Sequence, residues 1–431
     1  LKGLEMLEII FTVPICCFLF LMMRSKFGKW LNYVNVFNAI WLVGIVTTAI
    51  GTYHVYKPSA EIYVYIMLMM IAFNTVTYFT AHSSGANLYS ISEIKKNYIP
   101  RRNRIDTIVL LMLILLMIPE LKNSLNTIIV GGYNLVRGNA LTSFTLTQWF
   151  LYHYGNPIII GISVVSIVDL IFYGKNKLNF ILSIIATVIN ITVFASRWML
   201  LEFVVVVATA LILKYRFQIS KVIKENKKIV FGILMGVILL LYITSQRKMS
   251  SGNSTIMENI YYYFWGSISC MSKHLESIDQ YIKANGYMFG QMYFSGVVGF
   301  IKDTFGTLFH ISIIPGIEVL NKMTQDYVAV SPSIRMNNNV TMLTAFYVDG
   351  GGYAIVLLSG LTAAIIAKLY NLMYRRRSAA AVAYFIFAYS LLLFGLIEWM
   401  PARATNIWVF LVIGGIYWLR RKRIKIARWH M

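Results

Sequence analysis

Eleven apolar runs of about 16 to 28 residues, separated by short connections, dominate this chain: 4–23, 31–53, 61–81, 105–121, 149–173, 178–196, 198–214, 229–245, 343–370, 379–399 and 404–419. About 20 apolar residues is the length of an α-helix across a bilayer. Lipid offers the backbone no hydrogen-bond partner, so only helices and closed barrels can span it. Barrel strands alternate apolar and polar residues over about ten positions, and these runs do not. The expected fold is therefore all-α, a polytopic integral membrane protein of about eleven transmembrane helices. Composition agrees, with 58% hydrophobic residues, a mean hydropathy of +0.66 and only 13% charged residues, where a soluble domain carries about 25%.

The formal net charge is +22. In a soluble protein that value points to nucleic acid, but here the cations sort into alternate connections. One set holds Arg24, Lys26 and Lys29; Lys95, Lys96, Arg101, Arg102 and Arg104; Lys175 and Lys177; Lys214, Arg216, Lys221, Lys224, Lys227 and Lys228; Arg375, Arg376 and Arg377; and Arg420, Arg421, Lys422, Arg423, Lys425 and Arg428. It contains about two thirds of all the cations, so the loop bias makes this side cytoplasmic. The amino terminus is then outside and the carboxyl terminus inside, and no nucleic-acid partner is expected. Span 4–23 lacks both a basic leading region and a small-residue cleavage site, so it reads as a span rather than a cleaved signal. Cys16, Cys17 and Cys270 form no disulfide framework. Around 196–198 the break is short enough for a tight hairpin with Ser196 and Arg197 at its tip.

Two external segments are long: 122–148 and about 246–342. Connections of that length usually carry function or their own structure. In the second, Ile260, Phe264, Ile268, Met271, Leu275, Ile278 and Ile282 recur at steps of three or four, with Lys273, Glu276, Asp279 and Lys283 between them. This is an amphipathic helix, lying either on the outer membrane surface or as part of a lid over the spans. The chain reads as one integral domain, 1–431, with the external lid at 246–342.

The sequence lacks a nucleotide phosphate loop, a dinucleotide glycine fingerprint and HExxH. His54, His82, His153, His274, His310 and His430 show no metal spacing, and no DxD pair is present. Cytoplasmic nucleotide-sugar chemistry therefore has no obvious ligands, and neither metal nor cofactor is expected. What remains is cationic and external: Arg137, Arg197, Arg247, Lys248, Arg335 and Arg403. Each guanidinium is either an anchor at the headgroups or, as a cluster, a grip for a lipid diphosphate, which it would also stabilise on departure. Nearby carboxylates are Glu202, Asp349 and Glu398, and intramembrane ionisable groups are costly unless paired or functional. Glu398 and Arg403 flank Pro401 and can form a simple salt bridge. Asp169, nearer the cytoplasm, reads as structural. External His274 and His310 are candidate bases or ordinary surface histidines.

Residues 337–361, NNNVTMLTAFYVDGGGYAIVLLSGL, place amides, a carboxylate and three glycines before an apolar span. Asn337, Asn338, Asn339 and Thr341 carry donors and acceptors suited to sugar hydroxyls. Tyr347 can stack on a sugar ring or anchor at the interface. Asp349 followed by Gly350–Gly352 permits a helix break or close backbone approach, with helix capping as the plainer role for the carboxylate.

This stretch resembles the Asn-x-x-Thr…Tyr-x-Asp-x-Gly-x-x-Gly segment of Wzy-type oligosaccharide repeat-unit polymerases. FASRWMLLEFVVVV at 194–207 resembles their Ser-Arg element before an apolar span, and YYYFWGSI with NGYMFGQ resembles their large external loop. The similarity covers roughly residues 185–365. It departs at 350–352, where members often place an aromatic within the glycine-rich turn. The resemblance implies a type C-like membrane glycosyltransferase fold and transfer of an undecaprenyl-diphosphate-linked oligosaccharide to a second such unit on the outer face of the bacterial cytoplasmic membrane. Carried over, it makes Arg197 and Arg335 the diphosphate-binding arginines and Asp349 the base or sugar orienter. Arg137, Arg247, Arg403, Asn338, Asn339, Thr341, Tyr347 and Glu398 become substrate-binding candidates. Implied partners are the lipid-linked donor and acceptor, membrane lipids, a chain-length regulator and a flippase. Alternatives are a ligase that moves the glycan to another lipid, and a flippase. A flippase would present a charged central cavity and related halves, and no internal repeat is evident.

Overall fold

A computed structural model describes residues 2–82, 104–142, 145–196, 198–215, 218–245, 256–310, 312–376 and 378–428. In chain order the helices are α1 (Lys2–Phe27), α2 (Tyr33–Ile50), α3 (Ala60–Thr80), α4 (Arg104–Thr142), α5 (Leu146–Tyr173), α6 (Lys177–Phe194), α7 (Trp198–Lys214), α8 (Ile219–Glu225), α9 (Lys227–Ser245), α10 (Ile256–Phe264), α11 (Gly266–Asn285), α12 (Ser295–Phe309) and α13 (Gly316–Met323). A two-residue antiparallel pair follows, β1 (Val328–Ala329) with β2 (Arg335–Met336), in the register Val328↔Met336 and Ala329↔Arg335. Then come α14 (Met342–Arg376), α15 (Ala379–Leu393) and α16 (Ala404–Arg428).

The protein is an almost entirely helical membrane protein. Among the described residues, six helical segments are long and apolar enough to cross a bilayer: Tyr33–Ile50, Ala60–Thr80, Leu146–Tyr173, Lys177–Phe194, Met342–Arg375 and Ala379–Leu396. The bent pair α7 and α8 makes a seventh when taken as one span. The apolar runs at 4–23, 105–121, 198–214, 229–245 and 404–419 are also helical, in α1, α4, α7, α9 and α16.

One expectation changes. Most of segment 122–148 is not a loop, because α4 runs unbroken for 39 residues through Pro119 and ends at Thr142. Proline removes one backbone donor but leaves the rest of the ladder to continue. After α4, Thr145 caps the next helix in a reciprocal capping box with Gln148. The Thr145 hydroxyl and the Gln148 amide also donate to Glu120 of α4, at 2.9 and 2.8 Å. A π-turn at Leu151–Gly155 then leads into the remainder of α5.

The chain divides into two compact units. The first comprises Leu1–Leu88, Lys248–Asn371 and Leu391–Ala404. There the Asn38 and Asn74 side chains bridge α2 and α3 reciprocally at 2.9 Å, so two buried amides satisfy each other. The α2–α3 connection is stitched to the segment between α10 and α14. Tyr56 N–H donates to the Val330 carbonyl at 2.8 Å, Ser269 Oγ to the Tyr56 carbonyl at 2.7 Å, and Ser59 N–H to Ser272 Oγ at 2.9 Å. These bonds seat α11 on the unit, with Ile268, Met271, Leu275 and Ile278 buried beneath it. The amphipathic helix thus turns its apolar face into the first unit.

The second unit comprises Tyr89–Arg247, Leu372–Ser390 and Thr405–Met431. It is tied by buried polar contacts. Arg420 of α16 donates to Asp169 of α5 at 2.9 Å and to Asp106 of α4 at 3.0 Å, and Asn176 donates to Asp169 at 2.6 Å. Asp169 thus has a structural partner set, and the Arg420 side chain is buried within it, 8% exposed. Thr107 donates to Asn179 at 2.6 Å and Asn190 to Asn156, which pins α6 to both α4 and α5.

Candidate functional site

The glycine run breaks α14 near its start. Gly351 has φ +63°, a left-handed conformation that side chains with a Cβ adopt at a cost of about 1–2 kcal/mol. The break takes the Val348 and Asp349 carbonyls to new partners. They accept the Met288 and Phe289 N–H groups at 3.0 and 3.1 Å, which docks the turn after α11 onto α14. The Asp349 carboxylate completes the junction. One oxygen accepts Met292 N–H at 3.0 Å and the other accepts Tyr293 N–H at 2.8 Å. Asp349 is 3% exposed, so these charge-assisted bonds are the kind that make burial of a carboxylate tolerable. Tyr293 is fixed in turn, stacked on Trp399 at 4.9 Å, with its carbonyl accepting Trp399 Nε1–H at 3.0 Å. Neither helix capping nor an open carboxylate describes Asp349. It clamps a loop.

Around the break, aromatic and acidic groups converge. The rings of Tyr65 on α3 and Tyr347 on α14 lie 5.3 Å apart, tilted by 41°. Tyr347 O–H donates to Asp279 on α11 at 2.7 Å, and Tyr65 O–H donates to Glu61, one turn earlier on α3. Gly351 lets Tyr287 come close: a Cβ there would stand 3.0 Å from the Tyr287 hydroxyl. Tyr287 and Glu61 are exposed, while Tyr65 and Asp279 are half-buried. Tyr347 is itself buried, so the partly open platform consists of Tyr65, Tyr287, Glu61 and Asp279 gathered around it. Flat rings with hydroxyl-accepting carboxylates are the chemistry that holds pyranose rings and their hydroxyls.

The other sequence candidates fall into three groups. Arg197 and Arg247 lie outside the described residues, as does the side chain of Arg137 on α4. Arg335 is exposed at the start of β2. Several polar candidates are engaged in local structure. The Asn338 amide meets the Thr324 hydroxyl at 2.8 Å while its N–H donates to the Thr324 carbonyl at 3.1 Å, and Asn337 donates to the Gln325 carbonyl at 3.1 Å. Asn339 donates its N–H to the Asn337 carbonyl, and Thr341 donates to Met271 Sδ at 3.2 Å. Glu398 and Arg403 form the two-pronged salt bridge, with Arg403 Nε 2.9 Å from one carboxylate oxygen. Asp349, Tyr347, the asparagine run, Arg335, Glu398 and Arg403 all belong to the first unit.

Glu61 and Tyr65 carry no sequence signal beyond their residue types, Tyr287 lies in the NGYMFGQ stretch without a role of its own there, and Asp279 reads as a spacer between apolar positions. Only packing brings them to Tyr347. His274, a candidate base on α11, is 3% exposed, and burial lowers its pKa below the usual imidazole value while Asp326 opposes the shift. Among the described residues no three His, Cys, Asp or Glu side chains group as metal ligands. No protein-family profile matches the chain, and no similar protein was found among curated sequences or solved structures.

Proposed function

We propose that the chain is a polysaccharide polymerase of the cytoplasmic membrane, with all eleven apolar helices spanning it in a type C-like glycosyltransferase fold. It joins undecaprenyl-diphosphate-linked oligosaccharide repeats at the outer face. The observation that carries this reading is the platform at the α14 break. The same residues that resemble the Wzy segment, Tyr347 through Gly352, also gather Tyr65, Tyr287, Glu61 and Asp279.

In this reading the acceptor sugar lies on the tyrosines. Its hydroxyl attacks the anomeric carbon of the donor, the bond to the diphosphate oxygen breaks, and the lipid diphosphate leaves with that electron pair. Asp279 or Glu61 takes the hydroxyl proton, because the Asp349 oxygens already hold backbone amides. General-base help of this kind contributes about 10²–10⁴-fold. Arg335 is assigned the departing diphosphate, where guanidinium charge offsets the developing anion, and the resemblance gives Arg197 the same role. Asp349 acts at one remove, as a positioning residue.

The test uses the full chain in proteoliposomes with an undecaprenyl-diphosphate-linked oligosaccharide, scoring product length and carrier. Arg197→Ala, Arg335→Ala and Asp279→Asn should each shorten the ladder, with elongated product still on undecaprenyl diphosphate. Full ladders from all three overturn the assignments. Glycan moved to a different lipid identifies a ligase, and translocation without a new glycosidic bond identifies a flippase.

A further inference from the structure

Helix α12 is built inside out. Ser295, Gly296 and Gly299 form its packed side. A Cβ on Gly296 would lie 2.1 Å from the Pro401 carbonyl oxygen and 3.1 Å from that of Arg403, and one on Gly299 would lie 3.3 Å from Ala404 Cβ. The small residues therefore let this helix rest directly on backbone at the start of α16. Its large apolar residues point the other way. Phe294, Val297, Ile301, Phe305 and Phe309 recur at helical spacing and are all exposed. A soluble lid would reverse this arrangement, since burying such side chains is what holds a helix down.

Two anchors set the depth of α12. Its packed side meets Pro401–Ala404, where α16 begins. The loop before it is clamped by Asp349 and by the Val348 and Asp349 carbonyls, within the first turns of α14. Both contacts lie near the amino-terminal ends of apolar helices, the first at α16 and the second at α14. A second exposed apolar stripe lies on α14, to which the loop before α12 is bonded. Phe289 is held in the left-handed region at φ +47° and is 84% exposed. Its N–H is bonded to Asp349, a turn from Tyr353, which is 91% exposed and opens the stripe Tyr353, Leu357, Leu361 and Ile365 on α14.

We infer that α12 is an interfacial helix and that its open face is seated among the acyl chains of the outer leaflet. Such helices lie in the plane of the membrane with their apolar side sunk to the acyl boundary. Phe289 and Phe294 lead the surface from the span into this helix. The packed glycines keep the helix against the bundle, so it moves with the platform that the same external segment supplies through Asp279 and Tyr287.

The experiment reads depth, not activity. The full chain, with exposed Cys17 replaced by Ser, is reconstituted in phosphatidylethanolamine–phosphatidylglycerol vesicles. A nitroxide is placed in turn at Val297→Cys, Ile301→Cys and Phe305→Cys. Leu357→Cys serves as the lipid reference and Gln325→Cys as the aqueous one. The three α12 labels should be relaxed by oxygen and protected from a water-soluble nickel chelate, as at 357. Gly296→Val, which forces the helix off its seat, should lose that protection at 301. Nickel accessibility equal to that at 325 overturns the inference. Shielding from both relaxants also overturns it, since the face is then covered by protein. Lipid insertion without any polymer product would leave this inference standing and count against the polymerase alone.

Discussion

Helices α11 and α12 follow one another between the apolar helices α9 and α14, and both repeat apolar residues every three or four positions. They bury opposite sides. In α11 the apolar side is the packed one, with Ile268, Met271, Leu275 and Ile278 beneath it and Lys273 and Glu276 exposed. In α12 the packed side is Ser295, Gly296 and Gly299, and the apolar side is open. Periodicity finds an amphipathic helix but does not say which side meets protein. The partner surface decides. α11 leaves room for large buried residues, and Ile268 for one is seated at Gly44 of α2. α12 lies on the carbonyls of 401–403, where only small residues fit. In a membrane protein the displaced apolar side still has an apolar destination, so both arrangements are stable.

If α12 is held by its anchors and α11 by its core, the two should fail to different substitutions. The largest loss is expected at the anchor. Asp349→Ala leaves the Met292 and Tyr293 amides without their acceptor. Hydrogen bonds to a charged group contribute about 1.5–3 kcal/mol each, so removal of both should destabilise the first unit by about 3–6 kcal/mol. Thermal unfolding in detergent measures it, and proteolysis should open first within 286–294. An unchanged melting temperature would mean that α12 stays seated without the clamp.

A pair of matched truncations comes next. Ile268→Ala in α11 should cost about 2–5 kcal/mol, as other buried aliphatic truncations do. Ile301→Ala in α12, measured in detergent, should stay within about 0.5 kcal/mol. Equal losses would place a protein surface against α12 and erase the contrast between the helices.

Much of the helical fold was legible because its signal is local. Each of the eleven apolar runs falls in a helix, since about 20 apolar residues admit little else in lipid. The glycine break in α14 was legible for the same reason: three successive glycines ask for a conformation other residues avoid. The end of α4 was not. Residues 122–142 turn polar, which marks the edge of the bilayer, but a helix need not stop where lipid does. The role of Asp349 was hidden for another reason. Its partners lie 56 and 57 residues earlier in the chain, and a carboxylate that clamps amides has the same letter as one that takes a proton. The Tyr65–Glu61 and Tyr347–Asp279 pairs are similar, since only the packing of α3, α11 and α14 brings the two phenols together. Local chemistry gave the elements and the glycine break. Which carboxylate is free to work depends on contacts between distant segments.

The smallest effect sharpens the account of α11. His274 sits on its packed side, and burial lowers its pKa below the unfolded value of about 6.5. A group that resists protonation in the folded state stabilises it only while the unfolded state is also unprotonated. Above about pH 7.5 both forms are neutral and the term is silent. As pH falls through about 6.5 the unfolded chain gains a proton that the folded chain refuses, so stability declines and keeps declining down to the folded pKa. Asp326 softens the slope by favouring the imidazolium. Melting temperatures between about pH 8 and 5 should therefore fall less steeply for His274→Asn than for the unaltered chain, whatever the carboxylates contribute to both. Parallel curves would mean that His274 reaches solvent readily, and then α11 would not be the sealed lid that distinguishes it from α12.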